Sequence, residues 1–257
     1  MFFSQYPLTL YFNENKELTV LTDITKTFDI TGSLSSDEIL TYSIKDGDTP
    51  ESLSYRISNT TSNSWIILLM NRIIDVNYDW PMDSNTFDHY VNKKYGNKIC
   101  LFLETINVYG TFKVGQTVQI IDETGAIKDT AVVDEWDRTY GKLVLKNYGN
   151  EFQEISEFLK LGTQRYFARV NDENVGRIGR IVLSNSQALH HFENENKIYM
   201  DPHGGLLDAY SLFFSNEFVV TNYQYEIEIN DSKRRIILPS LKMMQRIRKD
   251  FKDKKLT

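Results

Sequence analysis

The chain has 257 residues, of which 41% are hydrophobic and 25% charged, and its formal net charge is -6. That composition is ordinary for a folded protein and excludes wholesale disorder. The negative charge argues against the broad basic field by which nucleic-acid binders neutralise phosphates, and the length suits two small units.

The one cysteine, Cys100, can form no internal disulfide and has no second thiol for a metal site. It reads as a core residue of a chain folded in a reducing compartment. The opening stretch "MFFSQYPLTLYFNENKELTVLTD" lacks the basic and apolar regions of a secretory signal. No run approaches the roughly 18 apolar residues that span a bilayer, so a soluble protein with no membrane partner is expected. Aromatic residues reach 13%, a richness that serves packing and interfaces.

In chain order, residues 1–40 read as an extended amino-terminal arm with scattered apolar positions and no clear period. "TYSIKDGDT" (Thr41 to Thr49) alternates and then turns on Asp46, Gly47 and Asp48, which predicts a strand ending in a tight acidic turn. Thr49 is a natural N-cap and Pro50 suits the first helical position, with Leu53 and Ile57 on one face of the short helix that follows. "NTTSNS" breaks that helix, and "SWIILLMNRI" restarts a strongly apolar one closed by Asn71. "NYDWP" (Asn77 to Pro81) is turn chemistry around two aromatics. Asp83 to Tyr95 reads as an amphipathic helix with Phe87, Tyr90 and Val91 inward.

From Ile99 the period changes to short alternating runs broken by Gly, Asp and Asn, which predicts an antiparallel β-unit, barrel-like, to about Ser186. "LHHFENENKIYMDPHGG" then reads as strand, turn, strand. "YEIEINDSKRRIIL" (Tyr225 to Leu238) reads as a β-hairpin turning at Asn230, Asp231 and Ser232. "PSLKMMQRIRKDFKDKK" reads as a basic amphipathic helix. Its apolar stripe of Leu241, Met244, Ile247 and Phe251 calls for a covering surface, which the pattern assigns to a neighbouring subunit.

Few constellations point to chemistry. Asp46 and Asp48 lack the further oxygen ligands of a calcium loop and read as turn residues. His190, His191, Asp201 and His203 are the plausible metal ligands, but adjacent histidines on a strand point to opposite faces. No nucleophile elbow, phosphate-cradling glycine loop or zinc-hydrolase pair stands in the sequence, so neither an enzyme nor a cofactor is expected.

The residues "YSIKDGDTPESLSYRI" and "WIILLMNRI" resemble the LysM module: a strand ending in Gly-Asp-Thr, a helix with a buried Leu and Ile, and a second helix closing on Asn before a return strand. Gly47, Asp48, Thr49, Leu53, Ile57, Leu69 and Asn71 fall on that pattern. The usual return strand, ending in an Ile-Pro pair, does not follow Ile74, where "NYDWPMDSNTF" stands. In order, "WIILLMNRIIDVNYDWPM", "YVNKKYG", "ALHHFENEN" and "YEIEINDSKRRIILPS" resemble the LysM-bearing baseplate wedge proteins of contractile-tailed phages.

That resemblance implies an α+β protein: an arm (1–40), a LysM-like module (41–98), an inserted antiparallel β-barrel-like domain (99–186) and a carboxy-terminal hairpin with a basic helix (187–257). It implies a non-enzymatic structural role in the virion tail baseplate, assembled in the host cytoplasm. Partners would be other wedge proteins, with the hub or sheath-initiating protein as a further candidate. The interface residues expected on this reading are Trp65, Tyr78, Trp80, Leu241, Met244, Ile247 and Phe251. The alternative is a LysM-type adaptor binding peptidoglycan or chitin, against which the replaced return strand argues.

Overall fold

A computed structural model describes residues 8–12, 18–22, 38–106, 111–171, 173–194, 196–197, 199–200 and 219–253. The chain divides into two units, Met1–Ser84 with Ile229–Thr257, and Asn85–Glu228. Helices and antiparallel strands together make an α+β protein.

Within the expected arm, Leu8–Phe12 (β1) and Leu18–Thr22 (β2) pair as an antiparallel hairpin with Leu10 opposite Val20. The remainder of the arm before Glu38 lies outside the described residues. Ile39–Ser43 (β3) leads into the acidic turn, where Gly47 takes a φ of 84° that a side chain would strain. Pro50–Ser58 (α1) starts with a reciprocal capping box. The Ser52 amide donates to Thr49 Oγ1 and the Thr49 amide donates to Ser52 Oγ, satisfying two donors the helix itself cannot. A 3-10 turn, Thr61–Asn63, leads into Ser64–Met70 (α2), whose Ile66 and Ile67 are wholly buried. A single turn, Val76–Asp79 (α3), follows.

Ser84–Tyr95 (α4) buries Phe87 and Val91, as its spacing predicts. The β-unit comprises Lys98–Ile106 (β4), Thr117–Asp122 (β5), Ile127–Asp137 (β6), Lys142–Lys146 (β7), Tyr166–Val170 (β8) and Glu173–Val182 (β9). They hydrogen-bond in the order β4-β7-β6-β5-β8-β9, and β9 returns to β4 to close a barrel. Alternation puts Ile99, Leu101 and Leu103 of β4 into the main core with Val118, Ile120, Val133, Leu143 and Leu145. Cys100 and Phe102 point the other way, into a second cluster with Tyr140, Val144, Leu189 and Phe192. Burial pushes the Cys100 thiol up to about 12, which fits the expected core role.

One element of this unit departs from the expected all-strand pattern. Phe152–Leu161 (α5) is a helix that sends Phe152 and Ile155 into the main core, its helical spacing concealed by the β-rich flanks. Beyond β9, Leu189–Glu193 (β10), Tyr199–Met200 (β11) and Val219–Thr221 (β12) form a sheet in the order β11-β10-β12.

The expected hairpin over Tyr225 to Leu238 is corrected. Asn222–Ser232 (α6) is a helix, and only Arg235–Pro239 (β13) is a strand. The alternation of Tyr225, Ile227 and Ile229 with Glu226 and Glu228 imitates a strand because the helix buries polar residues instead: Asn222, Glu226 and Asn230, four apart. Each has its partner. Asn222 Nδ2 donates to the Asn185 carbonyl at 2.6 Å, Glu226 accepts from Lys94 and Tyr95, and Asn230 pairs with the Met82 backbone.

β13 pairs antiparallel with β3, Ile236 opposite Tyr42 and Leu238 opposite Leu40. The strand that pairs with β3 is thus delivered by a later part of the chain. Leu241–Asp253 (α7) closes the first unit. Met243, Met244, Ile247 and Phe251 join Leu53, Ile66, Ile67, Trp80 and Ile236 in one core. Each such side chain contributes about 1.5–3 kcal/mol by leaving water.

Candidate protein interface

The segment between α2 and α4 carries two of the expected interface residues and is held from several sides. Asp79 Oδ2 accepts from the amides of Ile74 (2.9 Å) and Asp75 (3.0 Å), and Asp75 Oδ1 caps Asn77 (2.9 Å). The Asp75 and Ile74 amides hold the Asp79 carboxyl below its ordinary value. Lys233 Nζ donates to the Tyr78 carbonyl at 2.5 Å. Met82 is gripped by Asn230, whose side chain accepts from its amide (2.8 Å) and donates to its carbonyl (3.1 Å).

Trp80 is 7% exposed, and its indole Nε1 donates to the Asp48 carbonyl at 3.0 Å. Tyr78 is 67% exposed, and Ile74 95%. The segment thus folds its tryptophan inward and presents Ile74, Val76 and Tyr78 outward. Ile74 was not singled out from sequence; an apolar residue directly before Asp75, at the start of the turn segment, is the one local signal that marks it.

The acidic turn beneath is fully engaged. Asp48 accepts from Tyr42 Oη (2.7 Å) and the Lys45 amide (2.9 Å), and pairs with Arg56. Burial opposes its charge, but the Lys45 amide, the Tyr42 hydroxyl and the Arg56 guanidinium outweigh that and keep its carboxyl below the usual range. Asp46 accepts from Ser84 Oγ (2.6 Å) and pairs with Arg234 (2.9 Å), the Ser84 hydroxyl first and Arg234 second lowering its carboxyl. Both aspartates therefore hold the turn, as their spacing suggested.

The other expected interface residues divide. Trp65 is half-buried against Phe251, ring centroids 5.0 Å apart, and Leu241 remains exposed. Met244, Ile247 and Phe251 are buried in their own unit. Their assignment to a neighbouring subunit is corrected: the stripe needs a cover, and α1, α2 and β13 supply it.

The histidine pair also differs from expectation. A register shift between Leu189 and His191 in the β10–β12 pairing turns the two rings toward each other, with Nδ1 atoms 2.7 Å apart. One nitrogen must donate and the other accept. His191 Nε2 lies 2.9 Å from Glu193 Oε1, and His190 stacks on Tyr225 at 3.8 Å. Asp201 and His203 lie outside the described residues. Among the described residues no three metal-ligating side chains converge, and no helix is long and apolar enough to cross a membrane.

No curated protein matches the chain. Residues 1–100 of the 257 match the family model described as base plate wedge protein 53. Over that span the chain is similar to a phage baseplate wedge protein, which supports a structural role in the baseplate.

Proposed function

We propose that this chain is a structural component of a phage tail baseplate wedge, joining inner wedge proteins and neighbouring wedges through protein–protein interfaces. The observation that carries the reading is the similarity of residues 1–100 to base plate wedge protein 53. On this reading the chain has no catalytic role, is assembled in the host cytoplasm and resides in the virion. Its partners are other wedge proteins, with the hub or sheath-initiating protein as a further candidate. The outward Tyr78 and Leu241 belong to its contact surface.

The first unit is a LysM-like module with an interrupted order. Strand β3, helices α1 and α2 and return strand β13, which ends on Leu238 and Pro239, follow the motif, and the residues between α3 and β13 are inserted within it. Trp80 packs into the module's own core, which removes a flat aromatic from any sugar-stacking role and favours a protein partner over a glycan.

The test is mass spectrometry of purified virions and of baseplates dissociated from them. The chain should be found in both, in fixed ratio to other baseplate proteins. Its absence from baseplates would refute the reading. Saturable micromolar binding to peptidoglycan or chitin oligomers would favour the adaptor instead.

A further inference from the structure

We infer that His190 and His191 form a proton-operated latch between β10 and α6, which stays closed with one added proton and opens with the second. The register shift in β10 turns the rings of these adjacent residues together, with their Nδ1 atoms 2.7 Å apart. At that distance one nitrogen carries a proton and the other presents a lone pair. The far side of His191 fixes which. Its Nε2 faces Glu193 Oε1 at 2.9 Å, and because a carboxylate only accepts, that nitrogen keeps its proton. A neutral His191 therefore accepts at Nδ1 from the Nδ1–H of His190.

One further proton leaves this contact intact. Its charge settles on His191, against Glu193, and the Nδ1–H of His191 then donates to a His190 that is protonated only at Nε2. A second proton finds no such arrangement. Both Nδ1 atoms then carry hydrogen, so two donors of like charge face each other across a single hydrogen-bond length.

The surroundings of His190 do not relieve that conflict. Burial first and the charge of His191 second lower its pKa to about 4, and Lys142 of β7 and Lys94 of α4 act in the same sense. Glu226 of α6 acts in the opposite sense, but its carboxylate is already engaged by Lys94, Tyr95 and Tyr90. Tyr225 of α6 stacks on His190 and Tyr199 of β11 on His191, neither of them an anion at this pH.

His190 is the ring that can leave, since it is half-buried while His191 is only 6% exposed. Leaving unstacks it from Tyr225, now 3.8 Å away between ring centroids, whereas Leu189 and Phe192 stay in the cluster on the barrel's outer side. Acid thus uncovers Tyr225 and keeps the barrel closed. An imidazole freed into water regains its ordinary affinity for protons, so the ratio of open to closed should rise about tenfold for each pH unit between 6.5 and 4.

The test is nitrogen NMR on the histidine-labelled full-length chain across that range, with the ring-to-ring Overhauser contact between His190 and Tyr225 followed in the same samples. The contact should survive the first proton bound by the pair and vanish with the second, while the amides of the barrel strands keep their protection. His191→Asn offers an oxygen to the Nδ1–H of His190 in either charge state and removes the neighbouring charge. In that variant the Tyr225 contact should persist to pH 4 and His190 should titrate at a higher pH than in wild type. If the variant fails to fold, the wild-type titration decides alone, because the order of proton binding and contact loss is read without it. A contact retained in the doubly protonated pair, or lost with the first proton, overturns the inference. So does barrel protection lost in the same step, or a folded His191→Asn protein that opens over the same range.

Discussion

The side-chain amide of Asn71 pairs with the backbone of Ile237 across 166 residues of sequence: its Oδ1 accepts from the Ile237 amide at 2.7 Å and its Nδ2 donates to the Ile237 carbonyl at 2.8 Å. The carboxamide thereby acts as a neighbouring strand along the edge of β13 that β3 leaves open. The same Nδ2 also donates to the Ile67 carbonyl, so one residue ends α2 and fixes the strand beside it.

Asn71→Ala should therefore destabilise the first unit by about 1–2 kcal/mol, because both backbone groups of Ile237 lose their partner. Asn71→Asp keeps the acceptor and loses the donor, and should fall between. Urea denaturation monitored at an amide of β13 would measure both; equal stability of all three proteins would deny the clamp its role.

Replacing Ile247 and Phe251 with Ser should unfold the first unit in the isolated monomer. Each large-to-small change in a closed core costs about 2–5 kcal/mol, and the pair share one cluster with Trp65 and Met244. Circular dichroism should show the carboxy-terminal helix lost. A native-like melt in the double variant would mean that the stripe is satisfied between chains after all.

Excision of residues 85–228, with Ser84 joined to Ile229 through a short flexible linker, should leave a soluble module with β3 and β13 paired. Residues 38–84 alone should not fold, since they lack β13 and the core side chains of α7. Amide exchange would separate the outcomes: protection at Tyr42 and Ile236 is expected in the excised protein and absent in the fragment.

His190 supplies a pH dependence of known sign. Burial first, and the neighbouring His191 second, lower its pKa from 6.5 to about 4. Between those values the unfolded chain binds this proton and the folded chain does not, so stability falls as pH drops from about 6.5 toward 4. Carboxylates held below their usual range lose stability further down the scale. The contribution of His190 is isolated by comparing wild type with His190→Gln, whose melting temperature should decline less between pH 6.5 and 4. Parallel curves would show that the histidine does not titrate across this window.

The capped start of α1, the inward face of α4 and the alternating strands of the β-unit were legible in sequence, because each is fixed by neighbours a few residues away. The β13 pairing was not, since nothing local ties Ile236 to Tyr42. Helix α6 was misread because its buried stripe is Asn222, Glu226 and Asn230, which hydropathy scores as surface. Glu226 keeps its charge against burial by binding Lys94 at 2.6 Å and Tyr95 at 2.7 Å. The terminal stripe showed the opposite limit: four apolar residues announced that α7 is covered, yet their spacing could not say by which chain. At the candidate interface, the exposure of Tyr78 and the burial of Trp80, two residues apart, followed only from the hydrogen bonds that orient the turn.

The bond between Met82 and Asn230, 2.8 Å from amide to carboxamide, also bears on how such a protein can change over time. It brings the outgoing and returning strands of backbone together at the rim of the module, so the module sees the intervening residues as a loop with adjacent ends. Closing such a loop costs free energy that grows only slowly with its length. A lineage can therefore lengthen, shorten or exchange that loop while the β3–β13 pair and its core stay unaltered.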